Sequence, residues 1–342
     1  MFETTVETKP RWRMRVLLVA LALAITGVPG RFLWLTHMPL KTYEGTLPPL
    51  TAEESEVRDR LSAEVNHLTV DIGDRSFVRP KSLQTADDYL SSSLREQGYT
   101  VVERPYEVEG EKVNNLEAVL AGSDGTLGQV IVGAHYDSVA GTVGANDNGT
   151  GVAAVLEIAR LMREIKPRRT VRFVLFANEE PPYFQTVQMG SRVYAHQLRQ
   201  EGVPVSAMIS LETIGFYSDD VGSQKYPPVL SLFYPKRGNF IAFVGNTHSR
   251  RLVRESIREF RESTRFPSEG IAAPASWLGI GWSDQWSFWQ EGYPALMVTD
   301  TAPFRYPYYH TPEDTVDKVN FDRAARVVEG IRKLVEELAN KP

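Results

Sequence analysis

A chain of 342 residues with 42% hydrophobic content is long enough for one large domain or two ordinary ones, each with its own core. Its net charge of −5 offers no basic face for a nucleic acid, and the absence of cysteine excludes disulfides, thiolate metal sites and a thiol nucleophile. Any metal must therefore be held by His, Asp and Glu. At the amino end, Lys9, Arg11, Arg13 and Arg15 precede an apolar run from Val16 to Gly30. That length lies between a signal-peptide core of roughly 7–15 residues and a spanning helix of about 20. A cleaved signal peptide and an uncleaved signal anchor are both compatible with it. The continuation "FLWLT" and the lack of a small-x-small site after Val28 favour the anchor, and the basic residues in front place the rest of the chain outside the cytoplasm. The expected division is a cytoplasmic start over 1–15, a membrane segment over 16–35, a linker over 36–52 and a folded domain over 53–342.

Apolar spacing predicts a helix from Glu53 to about Leu68 and a second over "TADDYLSSSLREQGY", with Thr85 as N-cap and Gly98 near its end. The segments "YTVVERPYEV" and "NNLEAVLAG" alternate as strands and are close enough in sequence to pair antiparallel at a sheet edge. Thereafter strands alternate with helices: "QVIVGAH", "GVAAVLEIARLM", "TVRFVLFAN", "GSRVYAHQLRQ", "VSAMISLE", "FIAFVG", "SRRLVRESIREFRES", "PALMVTD" and a closing helix from Phe321 to about Leu338. This rhythm predicts a single three-layer α/β domain, a mixed and mostly parallel β-sheet covered by helices on both faces, preceded by the N-terminal hydrophobic helix. Residues 216–239 and 266–282 are expected to be irregular, as pocket walls or lids often are.

Polar residues fall at one place on this frame. His135 ends "QVIVGAH", Glu179 and Glu180 end "TVRFVLFANEE", and Glu212 ends "VSAMISLE", all at carboxyl ends of strands, where open α/β sheets bind ligands. Taken singly, each has a structural explanation. A histidine can sit satisfied in a loop, a Glu pair can be a solvated turn, and Asp147 in "NDNGTG" can cap the helix that follows. Capping accounts for one acid, not for a histidine and three glutamates at the same edge. Adjacent carboxylates there need a cation or a raised pKa. Zinc accepts imidazole nitrogen and carboxylate oxygen, and a carboxylate has two oxygens with which to bridge paired ions. Asp137, two residues past His135, is placed to orient the imidazole. His310, in "FRYPYYHTPEDT", is a candidate final ligand, whereas His37, His67, His196 and His248 fall in linker or surface contexts.

Five ordered pieces, "VNNLEAVLAG", "GAHYDS", "GANDNGTGVAAVLEIAR", "FANEE" with "GSRVYA", and "YYHTPEDTVDKVN", make the chain from about Glu53 to Leu338 similar to the zinc-dependent exopeptidases with paired metals. That group includes bacterial aminopeptidases, glutamate carboxypeptidases and glutaminyl cyclases. The resemblance implies two Zn2+ per chain, with Asp147 bridging, His135 and Glu212 on one ion, and Glu180 and His310 on the other. It implies Glu179 as general base and peptide substrates, and Asp137, as the orienter of His135, is counted with Glu179 among the catalytic residues. Three positions depart from the family's pattern. Glu212 stands where many members have Asp, Asn146 where an acid is common, and Gln285 where a His is frequent, so Asp284 and Gln285 are expected to line the pocket. The insertion "PPYFQTVQM" is expected to shape it. The implied activity is that of a membrane-anchored, extracytoplasmic aminopeptidase, or a secreted one if the leader is cleaved. Two rivals are a single-zinc glutaminyl-cyclase-like acyltransferase and a non-catalytic binding ectodomain.

Overall fold

Eight strands form one sheet in the computed structural model, which describes residues 30–341. They are β1 (Val101–Val108), β2 (Glu111–Leu120), β3 (Gln129–His135), β4 (Val171–Phe176), β5 (Val205–Glu212), β6 (Ile241–Asn246), β7 (Ser268–Ala273) and β8 (Ala295–Thr299). Their spatial order is β1-β2-β4-β3-β5-β8-β6-β7. The middle, β4-β3-β5-β8, is parallel, as is β6-β7, while β1-β2, β2-β4 and β6-β8 are antiparallel. Because the centre is parallel, the carboxyl ends of β3, β4, β5 and β8 open on the same edge. The expected single α/β domain with a mixed sheet and helices is therefore present, and β1 forms an antiparallel edge as the alternation predicts.

Helices α1 (Ala52–Asn66), α2 (Pro80–Glu96), α3 (Gly151–Met162), α5 (Arg250–Ser263) and α7 (Phe321–Asn340) contribute to the larger core, with Leu61, Leu90, Val155, Ile257 and Ile331 among its buried residues. On the other side, α4 (Gly190–Gln200) and the short α6 (Gln285–Gln290) enclose a smaller cluster around Phe176, Tyr194 and Phe288. α3 is apolar nearly all round, as a helix buried among the sheet, α1 and α7 must be.

Several boundaries differ from the sequence reading. α2 begins at Pro80, not after Thr85, because proline at the first helical position needs no N–H acceptor, and Thr85 sits inside the helix with its hydroxyl on the Lys81 carbonyl. β7 occupies part of the segment expected to be irregular. Residues 38–51 lie along the folded body: Met38 is buried in the main core, Arg261 donates to the Pro39 and Leu40 carbonyls, and the Ser268 amide donates to Thr42 Oγ1. The compact unit begins at Met38. Residues 30–36 are helical, with the His37 amide donating to the Leu33 carbonyl at 2.8 Å. Among the described residues no helix is long and apolar enough to cross a membrane. The basic start and nearly all of the apolar run from Val16 lie outside the described residues.

Candidate metal centre

β3 delivers His135 to the open edge of the sheet, fully buried. The chain then turns through Asp137 and the tight segment Ala145–Thr150 before entering α3. Within that turn Asp147 is non-helical (φ −109°, ψ 94°) and makes no capping bond, so it is not the N-cap its position allowed. Its backbone is fixed from across the fold. Asp314 accepts the amides of Asn146 at 2.8 Å and Asp147 at 3.1 Å, and receives the Tyr306 hydroxyl at 2.6 Å. Asn148 ties the same turn to β5 through the Leu211 carbonyl and the Thr213 amide.

The Glu pair after β4 is held equally firmly. Asp137 accepts the amides of Glu179 and Glu180, each at 3.1 Å. Its carboxylate lies 3.4 Å from His135 Nδ1, while its own carbonyl is nearer at 3.2 Å. Asp137 thus positions the Glu pair as well as the imidazole. Glu212 at the end of β5 accepts the Ser283 hydroxyl at 2.8 Å. His310 arrives on the loop after β8 with its ring stacked on Tyr309 at 3.8 Å. Non-glycine residues with left-handed backbone gather here: Asn178, Thr213, Thr301 and His310 have φ of 54°, 44°, 82° and 58°. Such conformations concentrate at sites where the surrounding structure dictates them.

These side chains form two triads that share one carboxylate. His135 Nε2 lies 3.5 Å from Asp147 Oδ1 and 3.2 Å from Glu212 Oε2. His310 Nε2 lies 3.1 Å from Asp147 Oδ2 and 3.2 Å from Glu180 Oε2. Glu179 Oε2 stays further off, 3.9 Å from His135 Nε2. In each of the groups His135/Asp147/Glu212, Asp147/Glu180/His310 and His135/Glu179/Glu180, the candidate ligand atoms lie within 4.8 Å of one another. Despite this proximity, His135 Nε2, Asp147 Oδ2, Glu180 Oε1 and His310 Nε2 are buried without a hydrogen-bond partner. Nitrogen and oxygen donors that crowd together without bonding one another fit a set of cation ligands.

The electrostatics agree. Burial lifts Glu179 well above the usual carboxylate range, with Glu180 and Glu212 adding to the rise against His135, and Glu180 reaches about 8. Glu212 rises for the same reason. Burial opposes charge on His135, but Glu179, Glu212, Asp137 and Asp147 outweigh it and hold the imidazole well above normal; His310 reaches about 10 in the same way. The cluster holds more negative charge than its two imidazoles can neutralise, and a divalent cation would supply the difference.

All seven residues singled out from the sequence converge on this volume. The remaining histidines do not. His67 pairs with Asp71 and lies against Tyr89, and His196 pairs with Glu291. Ser283 and Asp314 escaped the sequence reading; only Asp314 had a local signal, its place four residues after His310. Asp284 and Gln285 do not line the neighbouring cavity as expected. Both are fully buried, Gln285 donates to the Ile280 carbonyl, and burial raises Asp284 to about 7. The insertion at 181–189 lines no part of the cavity but is tied to the segment beside it, the Gln185 side-chain amide donating to the Gly281 carbonyl at 2.8 Å. The cavity itself, about 100 Å3, runs from Glu212 beneath aromatic walls that include Tyr226, Tyr234, Phe240, Trp282, Phe304 and Tyr309.

Sequence comparison decides the family: the profile of peptidase family M28 matches residues 115–335. The chain belongs to peptidase family M28. Among related proteins, the uncharacterized protein YfbL of Escherichia coli is 37% identical over 286 residues, 81% of this chain and 87% of YfbL. Aminopeptidase YwaD of Bacillus subtilis is 28% identical over 62% of this chain and 41% of YwaD. The fold matches that of BSAP, a zinc aminopeptidase from Bacillus subtilis, with a TM-score of 0.67 at 15% identity over 83% of this chain and 95% of that one. Glutaminyl cyclases also have this fold, at TM-scores of 0.60 and 0.61. As an M28 member the chain is a zinc metallopeptidase.

Proposed function

We propose that this M28 peptidase is an aminopeptidase with two zinc ions per chain, His135 and Glu212 holding one, Glu180 and His310 the other, and Asp147 both. The observation that carries the reading is the placement of Asp147, whose two oxygens face different histidines at 3.5 and 3.1 Å. When bound, the ions supply Lewis acidity that polarises a peptide carbonyl and acidifies a water. Glu179, the carboxylate outside the two triads, takes the proton from the attacking water and passes it to the leaving amine nitrogen. Burial raises its pKa, the direction that makes a carboxylate a stronger base. Asp137 keeps Glu179 in place through the backbone. Tyr309, whose phenol is pushed well above its ordinary range by burial and by the Asp147, Glu180 and Glu212 carboxylates, retains its proton and can donate to the carbonyl oxygen.

Charge favours the amino end of the peptide. The side chains around the centre include six buried carboxyl groups, those of Asp137, Asp147, Glu179, Glu180, Glu212 and Asp284, the buried His135 imidazole and the partly exposed His310 imidazole. The buried Arg75 nearby spends its donors on the carbonyls of Leu68, Tyr136, Val143 and Gly144. Against two bound divalent ions and neutral imidazole ligands, six carboxylates still leave the centre net negative, which suits a terminal ammonium and repels a terminal carboxylate. The basic cluster before Val16 supports a catalytic domain held outside the cytoplasm by an N-terminal membrane segment.

The test is digestion of paired peptides with free and acetylated amino ends, with metal content measured on the same protein. The expected result is stepwise release from free amino ends only, with two zinc ions per chain. Glu179→Gln should retain the metal while kcat falls by about 10²–10⁴. Cyclisation of amino-terminal glutamine without peptide cleavage, at one zinc per chain, would overturn the reading, as would an unchanged rate in Glu179→Gln.

A further inference from the structure

The cavity beside the candidate centre ends on a carboxylate that the mechanism does not use. Glu212 on β5 pairs in register with Thr299 on β8, Thr299 with Ala242 on β6, and Ala242 with Glu269 on β7. The four residues therefore form one row across the sheet, on one face, and Glu212 and Glu269 both line the cavity. Three interstrand steps of 4.7–4.9 Å separate the two glutamate backbones by roughly 14 Å.

Glu269 lies deep, its side chain 19% exposed. Among the described residues its carboxylate accepts no hydrogen bond. The Arg261 guanidinium stands 3.8 Å away, but its donors serve Ser268 and the Pro39 and Leu40 carbonyls. Lys225 also borders the cavity and is exposed to solvent. Beside Glu269 lie Tyr226 and Tyr234, stacked with ring centroids 5.7 Å apart, and Tyr234 is fixed by a bond from its hydroxyl to the Gly270 carbonyl. Aromatic faces and a carboxylate that accepts no hydrogen bond together make a receptor for an aliphatic stem that ends in a cation. Burial raises the Glu269 carboxyl to about 7, against Arg261 and with Glu44, so a cation entering near neutrality would find a group ready to ionise.

We propose that this cavity takes the side chain of the peptide's amino-terminal residue and that Glu269 selects lysine or arginine there by closing an ion pair at the far wall. This deepens the aminopeptidase reading and rests on it. Allowing about 4 Å of contact on the Glu212 side leaves about 10 Å to cross. A lysine or arginine chain of about 6–7 Å from Cα to charge, plus a hydrogen bond of about 3 Å, covers that distance. Leucine stops short of Glu269 and forms no ion pair with it, while norleucine fills the stem without the charge.

The experiment compares kcat/KM of the zinc-loaded full chain on lysyl, arginyl, norleucyl and phenylalanyl anilides, in the wild type and in Glu269→Gln. Lysine and arginine should exceed norleucine at least tenfold in the wild type, and the ratio should fall towards one in the variant. Calorimetric binding of lysinamide against norleucinamide to the wild type checks the same preference without turnover or mutation. Preference for norleucine or phenylalanine, or a lysine ratio that Glu269→Gln leaves unchanged, overturns the assignment of Glu269 while leaving an aminopeptidase. Hydrolysis of none of the four overturns the aminopeptidase reading and this inference with it.

Discussion

Asn146 shows how one amide can serve better than an acid. Its Nδ2 donates to Asp300 Oδ2 at 2.9 Å while its Oδ1 accepts the Gly215 amide at 2.8 Å. Asp300 also accepts the amides of Phe216 and Ala302. An aspartate at 146 would set two carboxylates face to face, so the missing acid marks a local exchange of charge for a donor. From sequence it registered only as a departure from the family's pattern, because Asp300 lies 154 residues away. Burial already raises Asp300 from 3.8 to about 6, against the pull of Arg305 and Asn146. A raised carboxyl holds its proton in the folded state at pH values where the unfolded chain has lost it. Its favourable contribution is therefore complete below about 4 and is lost as pH rises through about 6. Asn146→Asp should steepen that loss. Urea unfolding should show the variant destabilised by about 1–3 kcal/mol at pH 8 and by clearly less at pH 5, where one of the facing carboxyls can donate to the other. Equal destabilisation at both values would contradict this account.

At the scale of elements, periodicity revealed the strands that carry chemistry and missed one that walls the cavity. The parallel strands β3, β4 and β5 are buried on both faces and read as continuous apolar runs. β7, "SEGIAA", has neither alternation nor a branched run, and its Gly270 packs where a Cβ would come 3.0 Å from Met38. The strand is specified by the partner it pairs with and by the segment that covers it, neither of them visible in six residues. The "GSR" at the start of α4 has a comparable tertiary meaning. Gly190 donates to the Ala177 carbonyl at 2.8 Å, and a Cβ there would fall 2.1 Å from that oxygen and 2.5 Å from Asn115 Oδ1. Asn115 in turn holds the Ala177 amide, two residues before Glu179. Gly190→Ala must therefore push α4 away from the end of β4 and shift the Glu pair. The expected loss is about 1–3 kcal/mol in denaturant unfolding, together with a lower kcat. Gly125→Ala, where nothing lies within 4 Å of the added carbon, should change neither. A stable, fully active Gly190→Ala would show that this contact does not position the site.

For the molecule as a whole, the alternation of strands and helices made the α/β architecture legible. The convergence of polar residues followed from where parallel strands end. The same topology gives the metal a role in stability. The candidate ligands come from the ends of β3, β4 and β5, from the turn before α3 and from the loop after β8, spanning His135 to His310. Each segment is tied to the body by bonds of its own, through Asp137, Asn148, Asp314 and Ser283. The apo fold is therefore built, but it holds a knot of buried carboxyl groups facing two imidazoles, and cations that bind only the folded arrangement shift the equilibrium towards it. At about a thousandfold excess over Kd, a single such ion contributes about 4 kcal/mol. With a shift of roughly 2–4 °C per kcal/mol for domains of somewhat smaller size, removing zinc should lower Tm by on the order of 10 °C. Adding zinc back should restore it. Cleavage of the chelated protein by a nonspecific protease should begin in the loops at 137–150 and 301–315, which lose the cation that joins them. The check is a melt before chelation, after dialysis to confirmed loss of metal, and after readdition. An unchanged Tm in metal-free protein would mean that the carboxylate cluster is balanced by protonation alone.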